Sequence, residues 1–178
     1  MRMRSNATVV NEVEAFPSPG LMQMVVERLA LETRYVEDQF LRNVELYEFT
    51  PISMKLAGDN PQSGFSFTVR KLNDGKVSLL DFKVGPDELD GKVECALGDT
   101  VQTPAGSIIL YPTSKIDSFD NDIRVSWNNS MAVAKSYCSN LSVTLSNKES
   151  TVVVLSLEDN YPNRASNILS SLIDIYNE

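Results

Sequence analysis

A three-residue turn signal between two runs of alternating apolar residues constrains the fold of this chain more than any other feature. The turn is Asn73-Asp74-Gly75. Apolar side chains alternate with polar ones on both sides of it, with a break before the last: Phe65, Phe67, Val69, Val77, Leu79 and Phe82. Asn-Gly and Asp-Gly steps between alternating apolar residues are the strongest short-range signal for a β-hairpin. The sequence therefore predicts an antiparallel hairpin turning at Asp74.

Two segments that begin at prolines have the apolar spacing of amphipathic helices. Pro19 fits a first helical position, where its missing N–H costs nothing, and Ser18 is a natural N-cap, so a helix is predicted from Pro19 to about Ala30. The second helix follows Pro162, with Asp159 or Asn160 available as its cap. Its apolar stripe reaches the end of the chain: Ala165, Ile168, Leu169, Leu172, Ile175 and Tyr176. No Gly, Pro or last-turn lysine ends this stripe, so the helix is expected to continue in a longer protein.

The remaining segments are predicted mostly as short strands. Thr33 to Arg42 has a weak pattern and is predicted as a loop or short helix, pinned to the core by Tyr35 and Phe40. Val152 to Leu157 is predicted as a buried strand near the sheet centre, as is a first strand at Ala7, Val9 and Val10. Further elements are expected at Ile52–Leu56, Val93–Ala96, Ser107–Leu110, Asp122–Trp127 and Leu141–Leu145, with a helix capped by Asn128 or Asn129.

These elements predict an α+β fold, with a mixed or antiparallel sheet, helices packed on one face and a β-rich hairpin insertion in the middle. The chain has 178 residues, which is the size of a single domain. Residues 1–178 are therefore predicted as one domain, and residues 59–115 as the β-rich insertion within it.

Charge and composition exclude several classes of function. The formal net charge is −8, which argues against a nucleic-acid partner and against docking on an anionic membrane face. Histidine is absent, which removes the commonest general base and the commonest metal ligand. The phosphate-binding and nucleophile-elbow motifs are also missing from the sequence. No catalytic, cofactor-binding or metal-binding residue is assigned, and no cofactor is expected.

The two cysteines do not indicate metal or redox chemistry. Cys95 and Cys138 are far apart in the sequence and form no C-x-x-C pair. They could form a disulfide outside the cytoplasm, or they could be two separate buried thiols. The sequence leaves both possibilities open.

A few polar clusters admit a functional interpretation beside the structural one. Asp117, Asp120, Asn121 and Asp122 faintly resemble a calcium loop but lack its turn glycine and distal glutamate. A second acidic loop contains Asp87, Glu88 and Asp90. Adjacent Ser–Lys pairs occur at Ser114-Lys115 and Lys135-Ser136. For all of these, solvated surface is the favoured interpretation.

The two ends of the chain together resemble a known family. The first segment is Asn11-Glu12-Val13-Glu14 through Ser18, Leu21 to Leu31, Tyr35, Val44-Glu45-Leu46-Tyr47 and Thr50-Pro51-Ile52. The second is Leu155 to Ala165, with Asp159, Pro162 and Arg164 as its most telling residues, continuing through Ile168-Leu169 and Leu172 to Glu178. With Gly98 to Gly106, these segments resemble the periplasmic region of Bacteroidetes-type exopolysaccharide transport proteins. These are Wzz-like chain-length determinants, often fused to a cytoplasmic tyrosine autokinase of the BY type.

The resemblance covers about 110 residues and implies an architecture. Membrane helices would flank this domain in the parent protein, at the periplasmic face of the bacterial inner membrane. The domain would assemble as a homo-oligomer, with polysaccharide, the polymerase or the export machinery as its other partners and no nucleic acid. It would regulate polymer length and export without catalysing a reaction itself. The sequence departs from the family at Pro17-Ser18-Pro19-Gly20, where an uninterrupted helical stretch is more usual.

Two alternatives make distinct structural predictions. A carbohydrate-binding module that grips the polymer directly requires an exposed aromatic platform, with Trp127, Tyr111 or Phe119 in a groove. An enzyme with a histidine-free site requires a deep pocket and carboxylates with shifted pKa values. Self-assembly requires lateral patches that match a neighbouring copy.

Overall fold

The computed structural model describes residues 13–146 and 152–178 of the chain. The strand predicted at Ala7, Val9 and Val10 lies outside these residues. The chain divides into two compact units, which we call the terminal unit (up to Glu32 and from Ser130 onwards) and the central unit (Thr33–Asn129). The β-rich segment predicted at residues 59–115 lies within the central unit. The fold class is α+β as predicted, and every strand pairing among the described residues is antiparallel.

The central unit contains two antiparallel sheets that share one core. The strands are β1 (Thr33–Gln39), β2 (Arg42–Glu45), β3 (Ile52–Leu56), β4 (Phe65–Lys71), β5 (Lys76–Val84), β6 (Asp87–Leu89), β7 (Val93–Ala96), β8 (Thr100–Thr103), β9 (Gly106–Pro112) and β10 (Ile123–Trp127). The larger sheet has the order β2-β1-β10-β4-β5-β6, with β7 also paired to β5, and the smaller has the order β3-β9-β8. One cluster of buried side chains draws on both sheets, including Phe67 and Val125 from the larger and Ile52 and Leu110 from the smaller.

The predicted hairpin is confirmed as β4 and β5. Gly75 has φ of +79°, a conformation that glycine adopts without steric cost. The Asp74 carboxylate accepts a hydrogen bond from the backbone N–H of Lys76 at 3.2 Å. The break before Phe82 is also explained, because the register shifts opposite Phe67 and Asp81 takes φ of +54°. This bulge inserts one extra residue into β5, so that Phe82 returns to the core face.

The segment from Thr33 to Arg42 was expected as a loop or short helix, and that prediction is wrong. It forms β1, the turn at Phe40-Leu41 and the start of β2. Tyr35 does contact the core, and its hydroxyl accepts a hydrogen bond from the backbone N–H of Met54 at 2.8 Å, linking the two sheets. Phe40 was expected to pin this segment but is 99% exposed.

The terminal unit contains the helices α1 (Pro19–Arg28), α2 (Ser130–Asn140) and α3 (Pro162–Asn177) and the strands β11 (Leu141–Leu145) and β12 (Val153–Leu157). The helices predicted after Pro19 and Pro162 are confirmed, as is the helix after Asn129. Met22, Val25 and Val26 of α1 are fully buried where α1 packs against α2 and α3. At the start of α2, the hydroxyl of Ser130 donates a hydrogen bond to Glu27 at 2.9 Å.

Two local predictions in the terminal unit need correction. β12 was expected as a buried strand at the sheet centre, but its residues are half-buried or exposed, and among the described residues it pairs only with β11, in a two-stranded ribbon. Asp159 or Asn160 was expected to cap α3, but Tyr161 is the N-cap residue. Asp159 lies two residues before this N-cap, and its carboxylate accepts a hydrogen bond from the backbone N–H of Tyr161 at 2.7 Å.

A buried ion pair joins the ribbon to α3. The guanidinium of Arg164 donates to both oxygens of Asp159, at 2.8 Å from Nε and 2.7 Å from Nη2. The two side chains are only 7% and 2% exposed. Such a bidentate pair is geometrically specific, and removing one charge from a buried pair is strongly destabilising.

Replacing Arg164→Leu is expected to destabilise the terminal unit by about 3–5 kcal/mol, because the buried carboxylate of Asp159 loses its guanidinium. The control is Arg28→Leu, which breaks the exposed Arg28–Glu178 pair of the same unit and is expected to cost less than about 1 kcal/mol. Urea unfolding followed by the helical circular dichroism signal measures both, since α1, α2 and α3 all lie in this unit. Equal losses in the two variants would contradict the prediction.

Candidate interaction surfaces

The aromatic residues proposed for sugar binding do not form an exposed platform. Trp127 is 5% exposed and stacks on Phe65, with ring centroids 5.6 Å apart, and the two residues lie directly opposite on β10 and β4. Phe119 is fully buried in the same core. Tyr111 is partly exposed, and the ammonium of Lys55 lies 5.6 Å from its ring centroid. Two of the three aromatic side chains therefore stabilise the central unit.

Two side chains of the acidic loop that resembles a calcium site, those of Asn121 and Asp122, bind protein partners. Asp122 accepts hydrogen bonds from Nε of Arg70 at 3.0 and 3.1 Å and from Nη2 at 2.6 Å. Asn121 donates to Glu37 at 3.1 Å. Within residues 13–146 and 152–178, no group of three or more acidic or cysteine side chains is arranged to hold a metal ion. The loop thus forms a surface ion pair with β4 and a hydrogen bond with β1.

An open, mostly polar cleft of about 400 Å³ lies beside β5 and β6. Its lining residues are Leu80, Asp81, Phe82, Lys83, Glu88, Leu89, Asp90 and Gly91. Hydrogen bonding from Lys83, with its charge, lowers the pKa of Glu88. A lowered pKa makes Glu88 a weaker base, which is the opposite of what a general base requires. The members of both adjacent Ser–Lys pairs lie on the surface, exposed or partly exposed.

The apolar arc of α3 is covered on one side only. Ile168, Leu172 and Ile175 are buried against the rest of the terminal unit. Beside them on the helix surface, Leu169, Ile173 and Tyr176 form a second apolar row. Ile173 is 44% and Tyr176 is 37% exposed, and Leu169 is half-buried. We call Leu169, Ile173 and Tyr176 the outer row of α3.

The ribbon also carries incompletely covered apolar surface. Three cross-strand pairs align aliphatic side chains on one face: Leu141 with Leu157, Val143 with Leu155 and Leu145 with Val153. All six are half-buried. An isolated two-stranded hairpin is marginally stable in water, so this face depends on what packs against it. Helix α3 contacts β12 but leaves all six partly accessible.

Among the described residues, the most exposed large apolar side chains lie in the central unit. Phe40 is 99% and Leu41 is 88% exposed, and they form the turn between β1 and β2. This surface was not predicted from the sequence, because Phe40 was assigned to the core. The sequence feature that could have revealed this exposed turn is a bulky apolar pair between the polar residues Gln39 and Arg42. The pair lacks the glycine or asparagine that a tight turn favours.

Both cysteines are free and half-buried, Cys95 on β7 and Cys138 on α2. Burial raises the pKa of the Cys95 thiol, and the charge of Asp99 raises it further. Burial also raises the pKa of Cys138. Because the thiolate is the reactive form, both side chains are less reactive at neutral pH than an ordinary cysteine.

Alkylation of the folded chain with iodoacetamide at neutral pH is expected to be slower at both thiols than in the urea-unfolded chain. The rates should rise steeply only above the ordinary cysteine pKa, because the folded-state pKa values are raised. Mass spectrometry of peptides containing Cys95 and Cys138 gives each rate separately. A thiol that reacts as fast in the folded chain as in urea would contradict this expectation.

Comparison with known proteins adds no family to these observations. The chain matches no protein-family model, and it matches no curated protein. In the part of the chain that the structure describes, no helix is long and apolar enough to cross a bilayer. Function is therefore inferred from the surfaces themselves and from the resemblance of the sequence.

Proposed function

We propose that this chain is a non-catalytic periplasmic domain of a polysaccharide co-polymerase, held at the bacterial inner membrane by its parent protein. It assembles with further copies of itself and thereby regulates the length and export of a capsular or exopolysaccharide. The observation that carries this proposal is the outer row of α3, an apolar helix surface that the terminal unit covers only in part. The resemblance of the sequence to Wzz-like proteins supplies the polysaccharide context.

The spacing of the outer row suits packing against another helix. Leu169, Ile173 and Tyr176 follow one another at intervals of four and three residues, which places them along one ridge. Tyr176 additionally contacts Phe16, with ring centroids 4.6 Å apart, so its ring is held in position. A preorganised apolar ridge loses little side-chain entropy on association.

The ribbon offers further apolar area in the same unit. Its aligned aliphatic pairs are already paired across strands, so a partner would meet an ordered surface. Neighbouring copies in a ring use two different patches of each subunit, one for each neighbour. The outer row and the ribbon face are two such patches. Their combination supports assembly through repeated contacts of the same kind.

Several carboxylates of the chain, among them Asp122 of the loop that resembles a calcium site, have a structural role. Asp122 and Asp38 each form an ion pair with an arginine of the larger sheet, and Asp159 forms the buried pair with Arg164. Carboxylates engaged in this way fix side-chain geometry and are poor candidates for proton transfer. Together with the burial of Trp127 and Phe119, this favours assembly over direct gripping of the polymer.

Ile173→Asp is expected to weaken self-association at least tenfold, or by about 1.4 kcal/mol, because a charge would be buried in the helix contact. Ser170→Asp is the matched control, since Ser170 is exposed on the same helix outside the apolar arc. The measurement is the oligomeric state in a lipid bilayer of the membrane-anchored parent protein that this proposal assigns to the domain. A parent protein that remains strictly monomeric, or equal effects of the two variants, would refute assembly through α3.

The polysaccharide assignment needs its own test in the native host. A strain lacking the gene should lose its normal distribution of polymer lengths. The wild-type gene and Ser170→Asp should restore the distribution, whereas Ile173→Asp should not. Gel electrophoresis of extracted polysaccharide reads out the lengths. A deletion strain with an unchanged distribution would rule out the co-polymerase function even if the protein oligomerises.

A further inference from the structure

The turn between β1 and β2 presents two apolar side chains almost completely to solvent. Gln39 and Arg42 pair directly across the two strands, so Phe40 and Leu41 are the only residues of the connection. We call Phe40 and Leu41 the hairpin tip. Their exposures of 99% and 88% exceed those of every other large apolar side chain in the described residues. Packing within the described part of the chain therefore does not explain them.

Backbone geometry does not explain them either. Tight two-residue hairpin turns favour Asn, Asp or Gly because the common types need positive φ. Neither Phe40 nor Leu41 has positive φ. The turn thus tolerates ordinary residues, and polar ones would serve it equally well while avoiding exposed apolar surface. The identity of the tip residues points to a function outside the fold.

The strands below the tip are fixed by paired charges. The guanidinium of Arg34 donates to both carboxylate oxygens of Glu45, at 3.1 and 2.6 Å, across β1 and β2. On the other side of β1, Arg124 donates to both oxygens of Asp38 at 2.8 and 2.9 Å. Gln39 next to the tip donates to Glu37 at 2.6 Å. The tip therefore projects from an ordered support, which reduces the entropy lost when it binds.

The available area selects the kind of partner. A stable protein–protein interface buries about 800 Å² on each partner, whereas one large aromatic side chain buries about 150–250 Å². Next to the two tip residues along the chain, the exposed side chains are the polar Arg42 and Asn43, and exposed Asn121 of the adjacent loop donates to Glu37 on β1. The tip therefore lacks the surrounding apolar surface of a protein interface. Insertion into hydrocarbon needs no such complementary surface, because lipid closes around the inserted side chains.

We propose that Phe40 and Leu41 insert into the hydrocarbon edge of a lipid bilayer. Arg42 is exposed beside them and can stay at the level of the lipid phosphates while its stem lies along the apolar boundary. The net charge of −8 opposes attraction to anionic lipid, so insertion depends on the apolar pair and proceeds on zwitterionic membranes. Insertion of only two side chains binds a protein weakly to a membrane, so the tip acts together with another membrane attachment.

This membrane contact goes beyond self-assembly and is independent of it. The hairpin tip lies in the central unit and the outer row of α3 in the terminal unit. Tip variants are therefore expected to leave the oligomeric state unchanged, and Ile173→Asp is expected to leave lipid insertion unchanged. Failure of one proposal is thus distinguishable from failure of the other.

To test lipid insertion of the hairpin tip, the chain is tethered to phosphatidylcholine vesicles through a terminal histidine tag and nickel-chelating lipid. The chain has no histidine of its own, so the tag alone binds the nickel. The tether supplies the additional membrane attachment that two inserted side chains need. Phe40→Trp is the reporter, and its emission is compared with that of the wild-type chain, in which Trp127 is buried. Phe49→Trp is the control, since Phe49 is 54% exposed in the same unit but lies beyond the other end of β2.

The tryptophan at position 40 is expected to shift to shorter wavelength on the vesicles and to be quenched by brominated acyl chains, whereas the control is not. For the untagged chain, Phe40→Ser combined with Leu41→Ser is expected to reduce vesicle binding at least tenfold. Three outcomes would overturn the proposal: no quenching at position 40, equal quenching of the control, or binding that requires added phosphatidylglycerol. Loss of self-association in the double variant would also overturn it, by assigning the tip to a protein contact.

Discussion

The buried pair of Asp159 and Arg164 determines how the terminal unit presents its surface. Asp159 lies in the connection between β12 and α3, where its carboxylate accepts hydrogen bonds from the backbone N–H of Tyr161 and from the guanidinium of Arg164 in the first turn of α3. These contacts fix both the direction of the helix and its rotation about its own axis. With Arg164 turned inward beside Ile168, the other half of the apolar arc is turned away from the core. The outer row is exposed as a consequence of this pairing.

The central unit uses polar contacts in a comparable way. The hydroxyl of Tyr35 accepts from the backbone of Met54 and so ties β1 to the smaller sheet, although β1 contributes few apolar side chains. The bulge at Asp81 restores Phe82 to the core after the alternation has failed. The hydrogen bond of Tyr35 joins the two sheets, and the bulge at Asp81 sets the register that the apolar core of the hairpin then stabilises. The hairpin that ends at Phe40 is likewise held to its neighbours by paired charges, Arg34 with Glu45 and Arg124 with Asp38.

Sequence reasoning was accurate where a segment's own residues determine its structure. The turn at Asn73-Asp74-Gly75 was predictable because turn chemistry acts over a few neighbouring residues. β1 was not, because its apolar pattern is weak and its conformation comes from pairing with β10 and β2. Burial depends on such distant partners as well: Phe65 covers Trp127, whereas no apolar residue of the central unit covers Phe40. The outer row of α3 was recognisable as apolar, but the division between covered and uncovered halves required the packing against α1.

The distribution of uncovered apolar surface relates the fold to both proposals. A strongly acidic chain stays soluble through charge repulsion, and isolated exposed apolar residues on such a chain need no special explanation. The outer row of α3 and the hairpin tip are not isolated residues: one is an ordered row along a helix, and the other is a supported pair on a turn. A row along a helix can pack against an elongated surface of another protein. A projecting apolar pair with polar neighbours suits lipid, whose acyl chains can close around it. The difference in geometry therefore favours a protein partner for the helix and lipid for the turn.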